Sequence, residues 1–392
     1  MNQFWATDEF PFAAGSGVEY DTVVRRSVEI PEPPVAAMAV PLVGIAALAV
    51  RGRRRVAIAA GGLVLVLGQG LACHGFERHG DAPAMYFGDA SRKGVPFSKD
   101  PSVVGFGGRY LMYFSLPPYS GERRPEGGPK GWGIGIAESR DLVRWEKVAE
   151  MGPEQPCEAN GLCAPGARVI GGKVHLFYQT YGNGPKDAIC HAVSADGIRF
   201  ERDRSNPVFR PTGSWNSGRA IDAEVFEVGA RLVLLYATRD PTMSTQMVAA
   251  ASAPLASDFG RGAWRQEGDG PVLEPELDWE MPGGKACIEA PSVCRRGDRY
   301  FMCYAGGYNN GPQQIGVAES ADGLTWGRLS ERPLLPNGEP GSWNSSESGH
   351  PAIFDDGDGR SWLFFQGNGD GGKTWFLSNI EIIWRDGRPA LR

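Results

Sequence analysis

The sequence predicts an all-β fold, a five-bladed β-propeller of four-stranded antiparallel blades over roughly residues 80–392. Two repeated phrases and one compositional bias carry the prediction. The first phrase is a short strand, a Gly-containing turn and a second strand of alternating large apolar residues. It opens five times, at positions 100, 164, 222, 290 and 350, in steps of 64, 58, 68 and 60 residues. The second phrase follows each copy of the first and reads as a strand, a tight turn at Asp or Asp-Gly, and a strand opening on an aromatic. Hairpin plus hairpin makes a four-stranded unit, and self-similarity at such a period marks a propeller. Fifty-five Gly and thirty Pro among short apolar runs favour turn-rich β structure over helices.

The chain divides into an N-terminal segment, 1–72, and the propeller, 73–392. Within 1–72, PPVAAMAVPLVGIAALAV (33–50) and VAIAAGGLVLVLGQGLA (56–72) are apolar and flank the basic RGRRR (51–55). A basic cluster, an apolar stretch and a small residue predict an export signal cut after Ala72. A retained membrane anchor is the alternative, because each run is just long enough to span a bilayer. The protein is therefore expected to be exported: periplasmic, extracellular or membrane-anchored. IPEPPVAAMAVPLVGIAALAVRGRRR resembles the PEP-CTERM sorting signal, which normally ends a protein, so an upstream fragment or a wrongly chosen start is expected, with Met38 an alternative initiator. GLAC (70–73) is a partial lipobox around Cys73.

Blade one joins DPSVVGFGGRYLMYFS (100–115) to GIAESRDLVRWEKV (135–148), and blade two APGARVIGGKVHLFYQT (164–180) to HAVSADGIRFERD (191–203). Blade three joins DAEVFEVGARLVLLYAT (222–238) to the looser AAASAPLASDFGRGAWRQEG (249–268). Blade four is APSVCRRGDRYFMCYAG (290–306) with GVAESADGLTWGRL (316–329), and blade five HPAIFDDGDGRSWLFFQG (350–367) with WFLSNIEIIWRDGRPAL (375–391).

A formal charge of −6 and a pI near 5.6 give no basic footprint, which argues against nucleic acid as a partner. Seven cysteines in an exported chain permit disulfides, and Cys157 and Cys163 are close enough in sequence to staple a loop. No CxxC occurs and the histidines are scattered, so zinc is poorly supported. The chain is expected to act as a monomer.

In a propeller the first strand of each blade lines the central channel, so equivalent positions converge there. The aligned openings are Asp100, Ala164, Asp222, Ala290 and His350, with Glu289 one residue ahead in blade four. Each acid alone has an ordinary explanation: Asp100 as a turn residue before Pro101, Asp222 paired with Arg219, Glu289 paired with Lys285 or Arg295. Together, differentiated at equivalent strand starts, they point to a site. Three carboxylates suit glycoside cleavage, in which one acid protonates the leaving oxygen and one carboxylate activates water. A third acid nearby raises the donor's pKa by like-charge repulsion.

SKDPSVV (98–104), AIDAEVF (220–226), CIEAPSV (287–293), SGHPAIF (348–354) and IEIIWRDGRPAL (380–391) together resemble glycoside hydrolase family 43 over about 300 residues. The resemblance implies an inverting glycosidase that needs no cofactor for its chemistry. It implies Asp100 as general base, Glu289 as general acid, and Asp222 as the residue that tunes and orients the acid. It also implies that His350 faces a central cation, often calcium. Oligosaccharides or polysaccharides of plant or algal type follow as substrates, with arabinofuranosides and xylosides first and galactosides next. Asp222-Ala223, where the family usually has Asp-Pro, and Pro351 after Gly-His are departures.

GSWNS occurs at 213–217 and 341–345, and DWEMPG at 278–283, each ahead of a blade opening. These loops would rim the channel mouth and offer Trp215, Trp279 and Trp343 as sugar-stacking platforms; the alternative is that the indoles wedge blades together. Phe97 is a further wall residue, and Arg168 and Arg219 are candidate clamps for sugar hydroxyls or carboxylates. PPYSGERRPEGGPKGW (117–132) would help to decide endo or exo action.

One rival reading is a retaining fructosidase of family 32, on the strength of RDP at 239–241. SADGLTW (320–326) is similar to a sialidase Asp-box but lacks the residue between Asp and Gly. A non-catalytic carbohydrate-binding propeller is the rival from another class.

Overall fold

Each pair of repeated phrases folds into one sheet. The computed structural model describes residues 85–392 and arranges them as five four-stranded antiparallel sheets whose strand order follows the chain. Blade one is β1 (Lys99–Phe106), β2 (Arg109–Leu116), β3 (Gly133–Ser139) and β4 (Glu146–Met151). Blade two is β5 (Leu162–Ile170), β6 (Lys173–Thr180), β7 (Ile189–Ser194) and β8 (Glu201–Arg202). Blade three is β9 (Ile221–Val228), β10 (Arg231–Arg239), β11 (Gln246–Pro254) and β12 (Arg265–Glu267). Blade four is β13 (Ile288–Arg296), β14 (Arg299–Gly306), β15 (Gln314–Ser320) and β16 (Gly327–Arg328). Blade five is β17 (Glu347–Asp355), β18 (Ser361–Asn368), β19 (Phe376–Arg385) and β20 (Arg388–Leu391). The first strands β1, β5, β9, β13 and β17 neighbour one another in a closed ring. They enclose a channel of about 440 Å³. The five-bladed propeller expected from the repeats is the fold. The export signal, the cut after Ala72 and the lipobox at Cys73 lie outside the described residues.

Five apolar clusters hold the ring together, each shared by two adjacent blades. The aromatics that open the outer strands of blades one to four, and Trp384 near the end of β19, explain part of this. Each packs on the preceding blade: Trp145 on Phe364 at 6.0 Å, Phe200 on Tyr113 at 5.6 Å, Trp264 on Phe177 at 5.7 Å, Trp326 on Phe226 at 6.4 Å and Trp384 on Phe301 at 5.1 Å. The Ser-x-Asp turns that position them are built alike in blades one, two and four. Asp141, Asp196 and Asp322 each accept two backbone N–H bonds from the residues that follow. The likeness to an Asp-box is therefore turn chemistry. Ring closure falls to residues 85–98, which bridge to β19 and its approach through Phe87–Leu377 and Phe97–Trp375.

The feature that builds the site recurs in every first strand. The register slips once, and the residue at the slip has a positive φ: Asp100 51°, Ala164 45°, Asp222 53°, Ala290 49°, His350 43°. These are the five aligned openings of the sequence. A β-bulge of this kind re-aims a side chain, and a left-handed conformation is uncommon for residues other than Gly. Proline follows at 101, 165, 291 and 351, as suits a bulge, where no ladder N–H is needed. Blade-to-blade bonds hold three of the bulges: Ser115 Oγ accepts Ala164 N–H at 2.8 Å, Gln179 Oε1 accepts Asp222 N–H at 2.8 Å, and Gln366 Oε1 accepts Asp100 N–H at 2.9 Å.

Candidate active site

The bulges of blades one, three and five deliver Asp100, Asp222 and His350 to one place, and Glu289 joins them from the position before the fourth bulge. All four are buried. His350 lies between two acids, with Nδ1 3.0 Å from Asp100 Oδ1 and Nε2 3.2 Å from Glu289 Oε1. Glu289 also accepts from Gln313 Nε2 at 2.7 Å and from Gln246 Nε2. One ligand atom each from Asp222, Glu289 and His350 lies within 4.8 Å of the others. Asp222 Oδ2 is buried with no hydrogen-bond partner among the described residues.

These contacts set where the protons reside. Burial alone would lower the His350 pKa, but Asp100, Glu289 and Asp222 outweigh it and push it up to about 9, so the ring is an imidazolium at neutral pH. Burial alone would raise Glu289, but the His350 bond and charge, with Gln313, hold it at about 2. Asp222 is raised to about 7, by burial and by repulsion from Glu289 and Asp100, against the pull of His350 and Arg219. The like-charge effect expected at Glu289 thus falls on Asp222, because the imidazolium faces Glu289. Glu347, three residues before His350, is a further buried acid that burial raises to about 7; it accepts from Gln366 Nε2 at 2.7 Å and Asn310 N–H at 2.5 Å.

The ordinary ion pairs do not form. Arg219 is buried close by, but its Nε is 3.8 Å from Asp187 and its Nη1 is 3.3 Å from Gln246 Oε1. Gln246 Oε1 also accepts from Arg239 Nε at 2.8 Å. Arg295 bonds the carbonyl of Gly297 at the opposite end of β13. Asp240, the acid of the family-32 rival, caps the turn after β10 by accepting from Thr242 and Thr245 N–H at 3.1 and 2.7 Å.

Several other expectations need correction. Trp215, Trp279 and Trp343 pack between blades. Trp215 joins the cluster of blades two and three, Trp279 lies on Tyr304 at 6.0 Å, and Trp343 lies on Phe365 at 5.6 Å. A Cβ on Gly367 would meet the Trp343 ring at 2.6 Å, so glycine is what admits the indole. Arg168 lies four residues past the bulge on β5, roughly 13 Å along the strand, and interacts with Glu224 deeper in the channel. The Cys157–Cys163 staple does not form: Cys163 is buried in β5, and Cys157 Sγ lies 4.0 Å from Cys190 Sγ, both free thiols.

Phe97 is at the mouth, and the aromatics it meets went unremarked in the sequence: Trp132 at 6.0 Å and Trp375 at 6.1 Å, with Tyr181 5.7 Å beyond Trp132. They come from the loops leading into third strands, not from those leading into first strands. Tyr308, under the Arg239 guanidinium at 5.3 Å, belongs to the corresponding loop of blade four.

A five-bladed propeller with three buried acids around one histidine, walled by aromatics at one mouth, has the layout of a glycosidase. Residues 95–389 match the glycosyl hydrolases family 43, and the chain belongs to that family. Similar solved structures include a thermostable family-43 glycoside hydrolase (20% identity, TM-score 0.58, covering 75% of this chain and 92% of that one). An endo-1,4-beta-xylanase from Bacteroides thetaiotaomicron (19%, 0.55, 75% and 94%) and an alpha-L-arabinofuranosidase from Lactobacillus brevis (18%, 0.55, 74% and 93%) are others. At these identities the likeness shows the fold.

Proposed function

We propose that the protein hydrolyses O-glycosidic bonds of plant- or algal-type polysaccharide by single displacement with inversion, with arabinofuranosides and xylosides the first substrates to test and galactosides the next. The observation that carries this reading is the split among neighbouring carboxyls, Glu289 held near 2 and Asp222 raised to about 7. The pair thus holds one proton in reserve beside the carboxylate that activates water, as cleavage by an acid and a base requires. Asp100 is the base that activates water and Glu289 the acid facing the leaving oxygen. In the free site the spare proton resides on Asp222, whose oxygen lies within 4.8 Å of the Glu289 carboxylate. Relay of that proton through one bridging water arms Glu289 and leaves Asp222 ionised beside it. The measurement is the anomeric configuration of the first-formed sugar, followed by NMR; retention would overturn the single-displacement reading. A second measurement identifies the donor. Glu289→Gln should spare glycosides with a dinitrophenyl leaving group, which need no proton, and lose those with a sugar leaving group; uniform loss on both would reassign the acid.

A central calcium fits this donor set poorly. Calcium takes about six to eight oxygen ligands, whereas the three groups that converge are two carboxylates and an imidazole. Both ring nitrogens already face Asp100 and Glu289. We read the imidazolium as the central positive charge. Activity should then survive chelator, and a loss that added calcium restores would overturn this.

A further inference from the structure

Lys99 holds on β1 the place that Glu289 holds on β13. Each stands one residue before the bulge and pairs with the end of the second strand, Lys99 with Ser115 and Glu289 with Ala305. Its charge is felt at both Glu289 and Glu347, which places it at the mouth. It is nine-tenths buried, at 9% exposure. Its ammonium lies 4.5 Å from the Trp375 ring and 6.0 Å from Trp132, the two rings that flank Phe97. Among the described residues it has no carboxylate within ion-pair distance and donates no hydrogen bond.

The neighbouring cations differ. His350 faces two acids, and Arg219 and Arg239 are anchored on Gln246. An ammonium kept this deep, with ring faces as its nearest contacts and Glu289 and Glu347 beyond ion-pair distance, has no paired counter-ion. Neutral sugar hydroxyls would not require a buried cation, since uncharged donors and acceptors satisfy them.

We propose that Lys99 binds a carboxylate carried by the substrate, so that the enzyme acts on glycosides containing a uronic acid. The rings of Phe97, Trp132 and Trp375 cover the apolar face of the sugar while Lys99 takes its carboxylate, a charge-assisted bond stronger than any a neutral sugar offers. This rests on the glycosidase reading and narrows its substrates to acidic plant or algal polysaccharide. The competing account is that Lys99 only offsets the acids of the site, in which case its loss would weaken turnover of neutral and acidic glycosides alike.

The test is calorimetric titration of the full chain with D-galacturonate and D-glucuronate against D-galactose and D-xylose, using wild type, Lys99→Met and Lys99→Arg. Uronates should bind wild type at least about tenfold more tightly than neutral sugars; Lys99→Met should erase the difference and Lys99→Arg should keep most of it. No uronate preference in wild type, which needs no variant to fold, overturns the proposal, as does a preference that Lys99→Met retains. Hydrolysis of neutral pentosides without uronate preference sinks the Lys99 assignment and leaves the reaction standing. Uronate binding without hydrolysis of any glycoside sinks the reaction and leaves Lys99.

Discussion

Two kinds of buried acid occupy this molecule, and the contrast between them explains which ones react. Blades two and four each bury a glutamate completely, Glu158 and Glu280, at 0% exposure. Glu158 accepts from Tyr178 OH at 2.5 Å, Arg202 Nε at 3.1 Å, and the N–H groups of Glu154 and Gln155 at 2.7 and 3.1 Å. Glu280 repeats the set with Tyr304 OH at 2.7 Å, Arg328 Nε at 2.9 Å, and the N–H groups of Glu276 and Leu277 at 2.8 and 3.1 Å. Every lone pair has a partner and each acid has its own arginine. At the channel mouth Asp100, Asp222 and Glu289 share one imidazolium, and Asp222 Oδ2 has no hydrogen-bond partner among the described residues. Both sets are buried, at 0% exposure for Glu158 and Glu280 and 5–9% for the three acids at the mouth. What differs is the supply of counter-charge and donors: complete in the hubs, short at the mouth, and the shortfall leaves a proton free to move.

The strongest way to break that comparison is to make the same substitution in both places. Glu289→Gln should cut turnover roughly 100- to 10,000-fold, the usual worth of a general acid, with a far smaller change in Tm. Glu280→Gln should do the reverse. It leaves the Arg328 guanidinium short of its partner, a loss of roughly 3 kcal/mol or more for a broken buried pair, and Tm should fall by several degrees while the folded enzyme keeps its rate. Thermal melts and initial rates on one glycoside with a sugar leaving group decide it; a stable, inactive Glu280→Gln would end the distinction.

This contrast was only half legible in the sequence. The acids Asp100, Asp222 and Glu289 could be found because strand openings repeat, and equivalent residues of a propeller must meet at its axis. The blade count was legible for the same reason. The proton's location was not, because it depends on which acids His350 faces, and that is a matter of ångströms across four blades. The hubs were hidden too: Glu158, Tyr178 and Arg202 lie 44 residues apart end to end, and Arg202 reads as an ordinary surface charge. Trp279 and Trp343 misled because a loop that precedes a first strand can fold over the blade interface as easily as over the mouth. The glycines that receive them, Gly306 and Gly367, were visible only as strand ends.

A smaller effect tests the mouth alone. Asp222 has a native pKa of about 7, above the roughly 3.9 of an unfolded aspartate. Between those values the native state binds the extra proton, so stability is full below about pH 4 and is lost as pH rises toward 7. Asp222→Asn removes that loss. Its Tm should match wild type near pH 4 and exceed it near pH 8; a difference that is flat with pH, or that grows toward acid, would show that Asp222 ionises as freely as a hub acid.

The smallest effect compares two bulges held by the same kind of bond. Ser115 Oγ secures the bulge at Ala164, and Gln179 Oε1 secures the one at Asp222. Ser115→Ala and Gln179→Ala each leave one buried N–H without its partner, a cost of about 1 kcal/mol apiece. Their melts should therefore shift alike, by a degree or two. Their rates should not. Ala164 carries no chemistry, so Ser115→Ala keeps full turnover, whereas Gln179→Ala frees the backbone that aims Asp222 and should lose turnover beyond its share of stability. Equal rates in the two variants would mean that the bulge positions the strand and not the acid.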